Sequence, residues 1–243
     1  MVTKIFPDYG TLARATADLI KNYIEKKPAS LVCIASGHTP IGVFQNLVED
    51  VRSKKVNIDR CTFLGLDEWI GIDPTDEGSC LSMLKKDFFD PLGIQSAQTE
   101  YFNVLAADLE EECKRINKLI QQNDGLDIML VGVGTNGHIG MNEPGTSFTS
   151  TAHVGNLAEE TIAVGQKYFL KQTKLSKGIT LGLQHLQDAK LPIVMANGKK
   201  KAVIMEKAFA QKPSEQIPVT LVQLIQQGFV MLDTDAAQLL PQH

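Results

Sequence analysis

The stretch Leu126-Asp127-Ile128-Met129-Leu130-Val131-Gly132-Val133-Gly134-Thr135-Asn136-Gly137-His138-Ile139-Gly140-Met141-Asn142-Glu143-Pro144 decides the fold. Its apolar first part reads as a strand buried on both faces, and that strand empties into a turn with four glycines. Ligands of open α/β sheets bind at the carboxyl ends of such strands. A glycine-rich turn alone is a weak signal, because glycines mostly serve turn geometry. His138 and Glu143 sit five residues apart in this turn and add groups that can move a proton.

Outward from this segment, strand-like runs alternate with helical patterns. Ser30 to Ala35, Cys61 to Leu66, Gly178 to Leu183, Leu191 to Ala196 and Phe229 to Leu232 read as further strands. Helical spacing of apolar residues recurs over Tyr9 to Lys26, from Pro40 through Val48, over Leu81 to Phe89, Ala106 to Gln122 and Lys199 to Ala210. Such alternation predicts an α/β fold, a single doubly wound, mostly parallel sheet with helices on both faces. No linker or internal repeat divides residues 1–243, so one domain is expected. The polar stretch from about 145 to 177 is too long for an ordinary connection and is expected to be a mobile lid.

Composition narrows the function. The net charge of -4 and the lack of a basic stripe or zinc-finger spacing argue against nucleic acid. No run approaches the roughly 18 apolar residues of a membrane span, and the first residues carry no signal pattern, so a cytoplasmic protein is expected. Cys33, Cys61, Cys80 and Cys113 lie far apart, which fits buried free thiols better than a disulfide or metal framework.

Parallel strands would bring four polar loops to one rim. Ser36-Gly37-His38-Thr39 before Pro40 can present backbone N–H groups and a hydroxyl to a phosphate at a helix start; it also suits an ordinary N-capping turn. Asp67-Glu68-Trp69 places adjacent carboxylates after an apolar strand, where burial would raise a pKa toward that of a general base; solvated loop acids are the plainer reading. His138 is either a working imidazole oriented by Glu143 or a structural histidine. Lys199-Lys200-Lys201 opens a helix against its dipole, at a cost unless an anion binds; a solvated basic turn is the alternative. Together the loops point to sugar-phosphate chemistry with no cofactor and no metal.

On Ser36-Gly37-His38-Thr39-Pro40, Asp67-Glu68-Trp69, the Gly134 to Pro144 segment and Gly198-Lys199-Lys200-Lys201-Ala202, the chain resembles the glucosamine-6-phosphate deaminases, also called isomerases. Related 6-phosphogluconolactonases share the fold and the Gly-His turn but usually carry arginine at the Trp69 position and lack Asn-Glu-Pro. The resemblance implies ring opening of an aminohexose 6-phosphate, aldose to ketose isomerisation and release of ammonium. It implies Asp67 as the base between C2 and C1, and His138 as the ring-opening proton shuttle, held by Glu143 and Asn136. The phosphate would rest on Ser36, Gly37, His38, Thr39 and Lys201, with Lys167 in the place of a lid arginine.

The chain departs from the family pattern at Asn136, where aspartate is common, and at His38, where glycine or serine is more usual. Glucosamine and galactosamine 6-phosphate both remain open as substrates, and so do monomer and homo-oligomer. A 6-phosphogluconolactonase-type hydrolase and a non-catalytic sugar-phosphate-sensing module are the competing readings. The joint presence of Asp67 and His138 argues against the sensor.

Overall fold

The computed structural model describes residues 1–241. In chain order the elements begin with β1 (Val2–Phe6), α1 (Tyr9–Lys26), β2 (Leu31–Ile34), α2 (Ile41–Arg52), β3 (Thr62–Gly65) and β4 (Asp67–Trp69). Next come α3 (Cys80–Leu84), a π turn over Lys85–Phe89, α4 (Asp90–Leu92), β5 (Thr99–Glu100), α5 (Leu109–Gln122) and β6 (Ile128–Gly132). The last part holds β7 (His153–Asn156), α6 (Glu159–Gly165), β8 (Lys177–Thr180), α7 (Leu183–Asp188), β9 (Leu191–Ala196), α8 (Ala202–Ala210), β10 (Phe229–Asp233) and α9 (Thr234–Ala237).

Seven strands form the main sheet in the order β1-β10-β9-β6-β2-β3-β5, all parallel. Side chains of successive strand residues leave on opposite faces, and both faces are covered. Val32, Ile34, Ile128, Leu130, Ile193 and Met195 pack under α1 and α2 with Leu12, Ile20 and Phe44. Leu31, Cys33, Met129, Val131, Val194 and Ala196 pack on the other side with Ile116, Ile204 and Met205 of α5 and α8. Each fully buried Leu or Ile contributes about 1.5–3 kcal/mol of transfer free energy, which is why strand and helix periodicity alone signalled this layer structure.

From β2 the chain steps outward through β3 to β5, then returns to place β6 on the other flank of β2. The order therefore reverses between β2 and β6, and the loops leaving these two strands diverge into a crevice. That crevice is where a doubly wound sheet holds its ligand.

A second sheet, β4-β8-β7, corrects the expectation of a single one. It is antiparallel, with Asp67 opposite Thr180 and His153 opposite Thr180 on the other side. Asp67-Glu68-Trp69 is thus a strand rather than a loop. Residue 66 still donates to the Ile34 carbonyl of the main sheet, and its own carbonyl accepts from Leu181, so an extended chain passes from one sheet to the other. Leu66, Ile139, Ile179 and Leu181 join the same apolar cluster as the main sheet, and this welds the two sheets together.

Residues 145–177 are also more ordered than a structureless connection. They contain β7, α6 and a 3-10 turn at Gln166–Tyr168. The four cysteines are free and buried, as expected.

Candidate active site

A cavity of about 180 Å³ opens at the reversal between β2 and β6. Its floor is Ser36, Gly37, His38 and Thr39 after β2 and the turn Gly132 to His138 after β6; Asp67, Cys80 and Lys201 form its walls, and α6 with Tyr168 its roof. Four segments that sequence spacing alone could only propose to converge are therefore in one place.

Among the described residues no backbone carbonyl takes the peptide N–H of Gly37, His38 or Thr39, and that of His38 is directed at the Tyr168 hydroxyl. The start of α2 has no side-chain cap; the Ile41 N–H donates to the His38 carbonyl at 3.4 Å and the Gly42 N–H to Tyr9 Oη at 2.8 Å. Free donors at a helix start make an anion cradle. Lys201 stands at the same cavity, half-buried, with no carboxylate partner in ion-pair range among the described residues. Burial lowers its pKa, a cost that an incoming anion offsets.

Asp67 lies at the first position of β4, its side chain against Gly140 and within the cavity wall. Burial pushes its carboxyl up to about 7, and the neighbouring charge of Glu68 adds to the rise; the Cys80 thiol opposes it. A carboxylate with such a pKa is a working base near neutral pH. Glu68 points the other way. It is 3% exposed and accepts from the peptide N–H groups of Trp69, Cys80 and Leu81 at 2.8–2.9 Å, closing the start of α3. The adjacent pair of acids thus divides into one that faces the cavity and one that holds backbone.

His138 lies flat over Gly134, where a Cβ would come within 2.2 Å of the ring. No other residue fits beneath the imidazole. Desolvation lowers the His138 pKa, the Glu143 charge works against that, and Lys201 adds to the lowering. The ring is neutral at neutral pH and able to take a proton. Glu143 Oε2 stands 3.6 Å from Nδ1.

Two sequence expectations need correction. Asn136 does not touch the imidazole: its Nδ2 donates to Glu143 Oε2 at 3.0 Å and its Oδ1 accepts from the His138 peptide N–H at 3.1 Å. The side chain that does reach His138 Nδ1 is Thr161 of α6, at 3.1 Å. Lys167 does not line the cavity and is exposed on its 3-10 turn. The next residue, Tyr168, faces the Ser36 to Thr39 loop instead, stacking on His38 at 5.2 Å between ring centroids, its hydroxyl about 3.0 Å from where a Cβ on Gly37 would be. One residue along a tight turn changes the facing direction by roughly a third of a circle, a difference that alignment without structure cannot resolve.

Thr161 and Tyr168 were not singled out from sequence, and Cys80 was read only as a buried free thiol. None of the three stands out by type as a site residue, and only the packing of α3 and α6 brings them in. No group of His, Cys, Asp and Glu among the described residues has metal-binding geometry.

The family model of glucosamine-6-phosphate isomerases and 6-phosphogluconolactonases matches residues 9–231. The chain belongs to that family. It is 31% identical over 235 residues to a glucosamine-6-phosphate deaminase of Thermoanaerobacter sp. (strain X514), covering 96% of this chain and 93% of the relative. A glucosamine-6-phosphate deaminase of Lachnoclostridium phytofermentans is 34% identical over 217 residues, covering 89% and 92%. Among solved structures, a monomeric glucosamine-6-phosphate deaminase superposes with a TM-score of 0.94 at 31% identity, covering 98% of this chain and 100% of that one. The 6-phosphogluconolactonase of Trypanosoma brucei matches with a TM-score of 0.80 at 16% identity, a likeness of fold alone. No helix among the described residues is long and apolar enough to cross a membrane.

Proposed function

We propose that the protein is an aminohexose-6-phosphate deaminase acting on glucosamine 6-phosphate. The observation that carries this reading is that Asp67, a half-buried carboxyl with a pKa of about 7, and neutral His138 face one cavity. The same cavity holds peptide N–H groups at the start of α2 and Lys201.

The phosphate seats on the N–H groups of Gly37 to Thr39 and on Lys201, which fixes the sugar by its far end. His138 takes the proton of the C1 hydroxyl and returns it to the ring oxygen as the C1–O5 bond breaks, giving the open-chain aldehyde. Asp67 removes the C2 proton, and the electron pair moves through the C1–C2 bond onto the carbonyl oxygen, which takes a proton from the substrate's C2 ammonium. Return of the proton from Asp67 to C1 leaves an imine at C2. Water adds there and ammonium departs, yielding the ketohexose 6-phosphate. A lactonase needs the histidine and the phosphate cradle but has no use for a base placed at Asp67.

Incubation with glucosamine 6-phosphate should release ammonium and ketohexose 6-phosphate in equal amounts. Galactosamine 6-phosphate tests the epimer, and 6-phosphogluconolactone tests the hydrolase. Hydrolysis of the lactone with no ammonium from either amino sugar would overturn the proposal.

A further inference from the structure

Thr161 reaches the catalytic histidine from a part of the chain unrelated to the glycine-rich turn. It is 6% exposed, its Oγ1 is 3.1 Å from His138 Nδ1, and 23 residues separate the two. The contact is set by packing. Trp69, Leu157, Phe169 and Leu175 form a small apolar cluster with Ile162 and Tyr168 against it, and this cluster seats α6 over the cavity.

We infer that Thr161 is a positioning residue for His138, fixing the imidazole as the tautomer that carries its proton on Nδ1 and leaves Nε2 to work on the substrate. The inference rests on the deaminase reading above, which makes His138 the ring-opening group. Glu143 Oε2 lies 3.6 Å from Nδ1, outside hydrogen-bond range, and accepts from Asn136. Its negative charge still disfavours a lone pair on Nδ1 and favours a proton there. That proton then needs an acceptor, and the Thr161 hydroxyl oxygen is the one within reach. Nε2 makes no hydrogen bond within the described residues, and its lone pair is free to take the C1 hydroxyl proton and return it to the ring oxygen.

The arrangement also ties the chemistry to the roof of the cavity. α6 brings in Thr161 and, through the turn that follows it, Tyr168 against the phosphate loop. A histidine with its roof displaced keeps Glu143 nearby but loses the acceptor that fixes its ring.

The test compares Thr161→Val, which keeps the shape without the hydroxyl, with Thr161→Ser, which keeps the hydroxyl. Thr161→Val should lower kcat about fivefold, the rate equivalent of one neutral hydrogen bond, with KM for glucosamine 6-phosphate little changed. Thr161→Ser should recover most of the loss. Independently of turnover, the ¹⁵N spectrum of the free enzyme, with His138 assigned from His138→Gln, should show the Nδ1–H tautomer in the wild type and a mixture in Thr161→Val. An unchanged tautomer in Thr161→Val, wild-type kcat in that variant, or Thr161→Ser as impaired as Thr161→Val would each overturn the inference. Wild-type protein that releases no ammonium would instead overturn the deaminase reading, while the tautomer measurement would still decide the role of Thr161.

Discussion

Glu143 stands 3.6 Å from His138 Nδ1 and is itself held by Asn136 at 3.0 Å. The carboxylate therefore acts on the imidazole through its field, and its own position depends on a neutral amide. That amide stands where the family often has a second acid.

The two residues should behave as one unit. His138→Gln should cut turnover by about 10²- to 10⁴-fold, the usual loss for an acid–base group. Glu143→Gln should cost less, because it only removes the charge that favours the protonated ring. Kinetics of the double variant should match His138→Gln alone. Additive losses would show that Glu143 works apart from the histidine.

As the proposed C2 base, Asp67 must be ionised to work, and burial first, then the Glu68 charge, pushes its pKa up to about 7. kcat/KM should therefore fall about tenfold per pH unit below that value. The same shift carries a stability cost of known sign. A carboxyl whose folded pKa is raised from 3.8 to about 7 destabilises the fold progressively as pH rises through that window, because the unfolded chain ionises more readily. Asp67→Asn should be nearly inactive yet melt at a higher temperature than the wild type at about pH 8, with the difference shrinking toward about pH 4. Calorimetry at the two pH values checks this.

Lys201 and Lys167 should separate cleanly. Lys201→Ala removes the half-buried cation of the phosphate site and should raise KM about tenfold to a hundredfold with a smaller change in kcat. Exposed Lys167, replaced by alanine, should leave both constants near wild type, whereas Tyr168→Ala should raise KM. A KM defect in Lys167→Ala larger than that of Tyr168→Ala would show that the roof closes differently around substrate.

Glu68 should matter for stability. Its carboxylate accepts three peptide N–H groups in the interior, and Glu68→Gln sets an amide donor against at least one of them. Thermal or denaturant unfolding should show a loss of about 1–3 kcal/mol, the cost of one unsatisfied buried group. Turnover of the folded fraction should be reduced far less than in Asp67→Asn.

Short-range pattern along the chain encodes the main sheet and the glycine turn. The buried strands at Leu31–Ile34, Ile128–Gly132 and Leu191–Ala196 are nearly continuous apolar runs, so their place in a covered parallel sheet follows from composition and length. The glycine turn, its histidine and its carboxylate share one segment, and Gly134 is required there because the ring lies on it. β1 escaped notice because it is an edge strand with Val2 and Ile5 exposed, so burial leaves little pattern in it.

Tertiary structure alone decided the rest. The antiparallel sheet that makes Asp67 a strand residue depends on β8 and β7 arriving from more than eighty residues away, and His-Val-Gly-Asn in β7 has no strand pattern of its own. Which of Asp67 and Glu68 faces the cavity is fixed by their alternation along β4 and by the start of α3 beneath one of them. Thr161 at His138 and Tyr168 over Gly37 come from the packing of α6 on Trp69, a long-range contact between residues whose types carry no chemical signature in the chain. Local sequence encodes backbone periodicity and burial, whereas a catalytic contact between distant segments exists only once the core has set their separation.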